Sequence, residues 1–209
     1  VRVAGIDISL SSTGLAIIDD NDVVPISTRR IVSEPVRRPD GLAPSLLDRQ
    51  TRLRSVEDRI MVRLGMCPPG TRGIDRLPDL VLVEGPSLGS TGGQMAHESA
   101  GNWHRIVSRL FDLGIPVAEV SPPQVKQYAT GSGSTQGKTK VTKQMVISAV
   151  QAAYGDVGAA ITQNDEADAL VLAAMAARYC GRPVESFPLP AANLAALKKI
   201  RWPERTLAL

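Results

Sequence analysis

Residues 79–86, DLVLVEGP, carry an unbroken apolar run, Leu80 to Val83, that ends on Glu84 and is stopped by Gly85-Pro86. A strand without alternation has both faces covered, which is the mark of a parallel strand inside an α/β sheet. The chain before it reads differently. VRVAGIDISL (1–10), TGLAIIDD (13–20) and NDVVPISTRRIV (21–32) are three short strands, and the DDND between the last two is turn chemistry, so these three form an antiparallel meander. A sheet that begins antiparallel and continues parallel is mixed, with helices in the crossovers.

The helices follow from spacing. Leu46, Leu53, Val56, Ile60 and Leu64 recur at helical intervals, and MCPPGTRG ends that helix. Met95, Ala96, Ala100, Trp103, Ile106, Val107, Leu110 and Phe111 mark an amphipathic helix over 94–113. IPVAEVSP supplies a fifth strand and PPQVKQYATG a short helix stopped by the Gly/Ser-rich GSGSTQG. Further helices are expected over Lys138–Tyr154 and Asn164–Cys180. The expected architecture is one α/β domain over 1–181, a mixed five-stranded sheet with helices on both faces. A C-terminal tail, 182–209, holds one short helix in LAALKKIRWPE.

Composition narrows the class. At 209 residues and 43% apolar content the chain can bury a core. It holds no apolar run of membrane-spanning length, and its first ten residues read as a strand rather than a signal segment. Cys67 and Cys180 have neither metal-ligand nor disulfide-framework spacing, so a reduced, cytoplasmic protein is expected. The net charge of +3 is unevenly spread. From Val120 to Gly155 there are Lys126, Lys138, Lys140 and Lys143 and no acid, a strip suited to a phosphate backbone. Arg29, Arg30, Arg37 and Arg38, and Lys198, Lys199 and Arg201 in the tail, are further candidates for backbone contact. For each of these charges taken singly a solvated surface is the simpler account.

Four acids stand apart. Asp7 lies within the strand VAGIDIS, where a carboxylate is costly unless paired or metal-bound, though a strand-end turn cap would also explain it. Glu84 ends its strand and could simply mark where that strand meets water. In TQNDEADALVLAAMAA (162–177), Asp165 and Asp168 are three apart and share a helix face. Capping by Thr162 or Asn164 and a favourable helix dipole account for Asp165 and Glu166. They do not account for Asp168, which sits among Ala167, Ala169, Leu170, Val171 and Leu172. One geometry gathers all four: neighbouring strand ends carry Asp7 and Glu84, and the helix start carrying Asp165 and Asp168 packs over them. Such acids repel unless cations lie between them. An all-oxygen set without His or Cys selects Mg²⁺ or Mn²⁺. Two such ions activate a water and stabilise a leaving oxygen in phosphoryl transfer.

These stretches also carry a resemblance. GIDIS..STG, LVLVEGP, PVAEVSPPQVKQYATGSGS and NDEADAL, in that order and spanning most of 3–178, resemble RuvC, the bacterial Holliday-junction resolvase family, and most of all its phage or actinobacterial branch. The resemblance implies a ribonuclease H-like fold and a structure-selective DNA endonuclease leaving 5′-phosphate ends. It implies two Mg²⁺ or Mn²⁺ ions per site, held by Asp7, Glu84, Asp165 and Asp168. It implies Lys126 and Lys138 as active-site lysines. Because the loop before Lys138 is one residue longer than the family's, Lys140 competes for the second role, and Lys143 joins the DNA-binding set. It further implies a homodimer formed through the helix 94–113, with Ala96, Ser99, Ala100 and Gly101 allowing close approach and Trp103 and Phe111 adding bulk. A phage-encoded member would act in the bacterial host's cytoplasm.

The family usually carries an aromatic wedge just after the catalytic glutamate. Here Ser87 stands near that position, and no aromatic residue occurs between Glu84 and Trp103. Stacking platforms are scarce throughout, at 3% aromatic residues. The expectation is therefore cleavage of forks, three-way junctions and flaps as well as four-way junctions. Two other classes compete. GIDISLSSTG also resembles the first phosphate loop of sugar-kinase and actin-like ATPases, but 209 residues are too few for two such domains and no second phosphate loop is present. A non-catalytic branched-DNA-binding protein would gain nothing from four carboxylates facing phosphate.

Overall fold

The computed structural model describes residues 1–22, 24–35, 37–66, 76–86 and 94–204. Five strands, β1 (Arg2–Asp7), β2 (Ser12–Asp19), β3 (Ile26–Val32), β4 (Leu80–Glu84) and β5 (Val117–Val120), form one sheet in the order β3-β2-β1-β4-β5. β1–β2 and β2–β3 pair antiparallel, whereas β1–β4 and β4–β5 pair parallel. The mixed sheet expected from the unbroken run at 80–83 is thus present. The chain leaves β1 toward β2 on one side and reaches β4 on the other, so the carboxyl ends of β1 and β4 flank a switch point, where open α/β sheets place their ligands.

The helices are α1 (Leu46–Leu64), α2 (Gln94–Asp112), α3 (Pro122–Thr130), α4 (Lys143–Ala153), α5 (Gly155–Ala159), α6 (Asn164–Tyr179) and α7 (Ala191–Leu194), the last continuing as a 3-10 turn over Ala195–Lys199. α1 is framed by a capping box between Ser45 and Asp48 and by Gly65 in the left-handed conformation. α4 begins five residues later than its sequence suggests. Thr142 is its N-cap, accepting from the Met145 backbone N–H, and the 138–141 segment ahead of it is held in a turn by Lys140 N–H to Gly137 O. The short α5 has no counterpart in the sequence reading.

Strand alternation divides the core in two. Val3, Ala16, Leu80 and Leu82 face α6, α3 and α4, while Ala4, Ile6, Leu15, Val81 and Val83 face α1 and α2. The same alternation puts Gly5 and Asp7 on the α6 side, together with Glu84. α6 is apolar all round, and Ala169 to Ala177 are fully buried. It can press onto β1 and β2 because two strand residues lack side chains. A Cβ on Gly5 would lie 2.2 Å from Ala169 O, and one on Gly14 would lie 1.9 Å from Asp165 O.

The segment after Gly181 is tied to the α6 side by polar anchors. Glu185, its side chain fully buried, takes hydrogen bonds from Tyr128 Oη and Arg178 Nη2, and Asn193 Nδ2 donates to Tyr128 O at 2.8 Å. Trp202 stacks on Tyr179 with ring centres 3.9 Å apart. Among the described residues no helix is long and apolar enough to cross a membrane.

Candidate active site

β1 and β4 run in register up to Ile6 opposite Val83, so Asp7 and Glu84 follow side by side at their carboxyl ends. α6 begins over them with Gln163 as its N-cap, and the side chains of Thr162 and Asn164 do not cap it. Asp7, Glu84 and Asp168 each place one carboxylate oxygen within 4.8 Å of the other two. This is the juxtaposition for which the odd position of Asp168 argued.

Three crowded, half-buried acids hold their protons tightly. Burial, then the charges of Asp168 and Asp165, push Asp7 up to about 7, against the pull of Lys143. Burial and the neighbouring Asp7 and Asp168 push Glu84 up to about 9. Asp168 rises to about 6 through burial, partly offset by Lys143 and Lys126. Without a cation, the crowding of Asp7, Glu84 and Asp168 favours the protonated form of Glu84 most. A donor set of three crowded, half-buried carboxylates fits a divalent cation.

The fourth acid sits differently. Asp165 Oδ2 accepts from Ser12 Oγ and lies 3.4 Å from Arg30 Nε, while its Oδ1 accepts from Asn164 Nδ2 at 3.2 Å. The same Asn164 amide reaches Asp168 Oδ2 at 3.4 Å, linking the two helix acids. Glu166, which the helix-end account alone was expected to explain, is half-buried and accepts from Thr28 Oγ1 at 3.5 Å.

Of the basic residues, Lys126 is half-buried on α3 and Lys143 is the first residue of α4, and the charges of both act on the acids. Lys138 and Lys140 lie exposed on the segment leading into α4. Arg38 is paired with Asp40 at 2.7 Å and Asp48 at 3.3 Å. Arg29 lines a surface groove with Arg59 and Arg63. Ser87 lies outside the described residues.

Two supports of the site had no sequence signal. Trp103 Nε1 donates to Glu84 O at 2.8 Å, and Asn102, fully buried, donates from Nδ2 to Ser9 O at 3.3 Å. Both come from α2, so that helix braces the ends of β4 and β1. Trp103 therefore faces the site's backbone rather than adding bulk to the outer face. That face carries exposed His97, Gly101, His104, Ser108 and Phe111 at helical spacing. The turn after Asp7 is closed by Thr13 Oγ1 to Ser9 O at 3.1 Å and Ser9 Oγ to Ser12 O at 2.8 Å.

No protein-family model matches the sequence, and no curated protein matches it. Solved structures similar to this chain include two of RuvC. Thermus thermophilus RuvC superposes with a TM-score of 0.55 at 22% identity, over 88% of this chain and 99% of that one. T. thermophilus RuvC in complex with a Holliday junction substrate gives 0.57 at 20% identity, over 88% and 98%. With its mixed sheet order, helices on both faces and acids at the switch point, the chain has a RuvC-like, ribonuclease H-like fold.

Proposed function

We propose that this protein is a divalent-cation-dependent endonuclease that resolves four-way DNA junctions and cuts other branched DNA, acting as a homodimer. The observation that carries this reading is the meeting of the Asp7, Glu84 and Asp168 carboxylates at the carboxyl ends of adjacent parallel strands. Mg²⁺ or Mn²⁺, two per site, would supply water activation and charge neutralisation at the leaving oxygen. Asp7, Glu84 and Asp168, with Asp165 beside them, would hold these ions. In the reaction, water oxygen bonds to phosphorus and the P–O3′ bond breaks, leaving a 3′-hydroxyl and a 5′-phosphate.

Lys126 is assigned to the reacting phosphate. The effect of Lys143 on Asp7 and Asp168 supports it as the second phosphate-binding lysine in preference to Lys138. Lys138 and Lys140 are assigned to the backbone of the DNA arms. The exposed outer face of α2 supports the dimer: a Cβ on Gly101 would meet open space, which leaves room for a second helix to approach closely. Ser87, in place of an aromatic wedge, supports a substrate range broader than four-way junctions.

The test is to incubate the protein with four-way, three-way, forked and linear DNA, with and without Mg²⁺, and to map the cuts. Mg²⁺-dependent incision of the three branched forms near the branch point, with linear duplex spared, is the expected result. Failure to cut any branched DNA in Mg²⁺ or Mn²⁺ overturns the enzymatic reading, and cutting confined to four-way junctions overturns the broader range.

A further inference from the structure

Asp165 and Asp168 lie three residues apart on α6, yet only Asp168 joins the acid cluster. One Asn164 amide nitrogen reaches both carboxylates, Asp165 Oδ1 at 3.2 Å and Asp168 Oδ2 at 3.4 Å, so Asp165 lies beside the cluster. Both its oxygens are already engaged. Oδ1 takes the Asn164 amide, and Oδ2 takes the Ser12 hydroxyl with Arg30 Nε 3.4 Å away. Ser12 is the link between the two charges: it accepts from Arg30 Nε at 2.6 Å and donates to Asp165.

The arrangement is built by the sheet. Arg30 on β3 is paired in register with Gly14 on β2. The missing side chain at Gly14 lets the first turn of α6 settle on β2, with Asp165 O where a Cβ would be. That places Asp165 at the end of the Arg30 side chain. The ion pair is partly open to solvent, at 40% exposure for Arg30 and 21% for Asp165.

We infer that Arg30, acting through Ser12, is a latch that holds Asp165 off the three-acid cluster and makes the second cation bind more weakly than the first. The inference rests on the two-cation reading above. The first cation needs only Asp7, Glu84 and Asp168, which already converge. The second competes with Ser12 and Asn164 for the Asp165 carboxylate and approaches it beside a guanidinium, which costs hydrogen-bond energy and charge repulsion. Arg30 is thus a positioning residue, and its effect is on cation occupancy.

The test is a Mn²⁺ titration of the whole protein without DNA, following free Mn²⁺ by electron paramagnetic resonance. Wild-type protein should bind one ion tightly and a second more weakly. Arg30→Gln should tighten the second step roughly three- to fivefold, the scale of a partly exposed ion pair, and leave the first unchanged. Arg30→Lys, which keeps the charge, should retain a weak second step. In an Asp165→Asn background the second step should be lost and Arg30→Gln should change nothing further. Should Arg30→Gln fail to fold, Ser12→Ala removes the donor to Asp165 and should tighten the second step in the same direction. A second step that is unchanged or weaker in the folded variant overturns the latch while leaving the nuclease reading intact. Wild-type protein that binds no Mn²⁺ overturns both.

Discussion

The two faces of the sheet contribute to one site by different means. On one face, α6 lies directly on β1 and β2, its contact made possible by Gly5 and Gly14 and its residues Ala169 to Ala177 fully buried. It brings Asp168 to the strand acids. On the other, α2 brings no acid to the cluster. It reaches the same strand ends by two hydrogen bonds, from Trp103 to Glu84 O and from Asn102 to Ser9 O, and presents an exposed stripe outward. One face fixes the acids through close packing that leaves no room for a Cβ at Gly5 or Gly14. The other steadies the backbone that carries them and keeps a surface free.

The sharpest break in that comparison is at the α6 contact. Gly5→Ala sets a Cβ against the α6 backbone, which cannot move without lifting the helix, so a loss above roughly 4 kcal/mol or failure to fold is expected by denaturant unfolding. On the α2 side, Asn102→Ala removes one of two donors to Ser9 O, which keeps the Thr13 hydroxyl. A loss of about 0.5–1.5 kcal/mol is expected by denaturant unfolding, with cleavage slowed more than DNA binding because the turn after Asp7 loosens.

A third measurement addresses the acids themselves. A carboxyl whose proton is held more tightly in the folded than in the unfolded chain favours folding while protonated. That contribution is complete below the unfolded value near 4 and is lost as pH rises through the folded values of about 6, 7 and 9 for Asp168, Asp7 and Glu84. Cation-free protein should therefore lose stability from pH 4 toward 9. Mg²⁺ competes with those protons, so the rise in melting temperature on adding it should be larger at pH 9 than at pH 6. An equal rise at both would show that the ion binds elsewhere. The smallest effect is expected at Gly101, where an added Cβ meets open space. Gly101→Ala should stabilise the folded chain by about 0.8–1 kcal/mol through helix propensity while weakening self-association, read by sedimentation.

Much of this was legible in the sequence because it is local. The unbroken run at 80–83 gives a parallel strand, and the misfit of Asp168 among apolar neighbours points to something for it to face. What escaped is set by contacts between distant segments. Arg30 reads as one of several surface arginines, and only the β2–β3 register brings it to Asp165. Trp103 reads as bulk for a partner, yet its indole is spent on Glu84 O. The delayed start of α4 depends on Thr142 capping, where Lys138 to Val141 gave no competing signal.

In the proposed function Asp7 holds the cation needed for cutting, while the basic surface binds the DNA. Asp7→Asn, assayed for four-way-junction binding and for Mg²⁺-dependent cleavage on the same preparation, separates the two roles. Binding within about twofold of wild type with cleavage reduced below about one-thousandth is predicted, since one ligand is lost and no basic residue is touched. Cleavage at the wild-type rate would contradict the account.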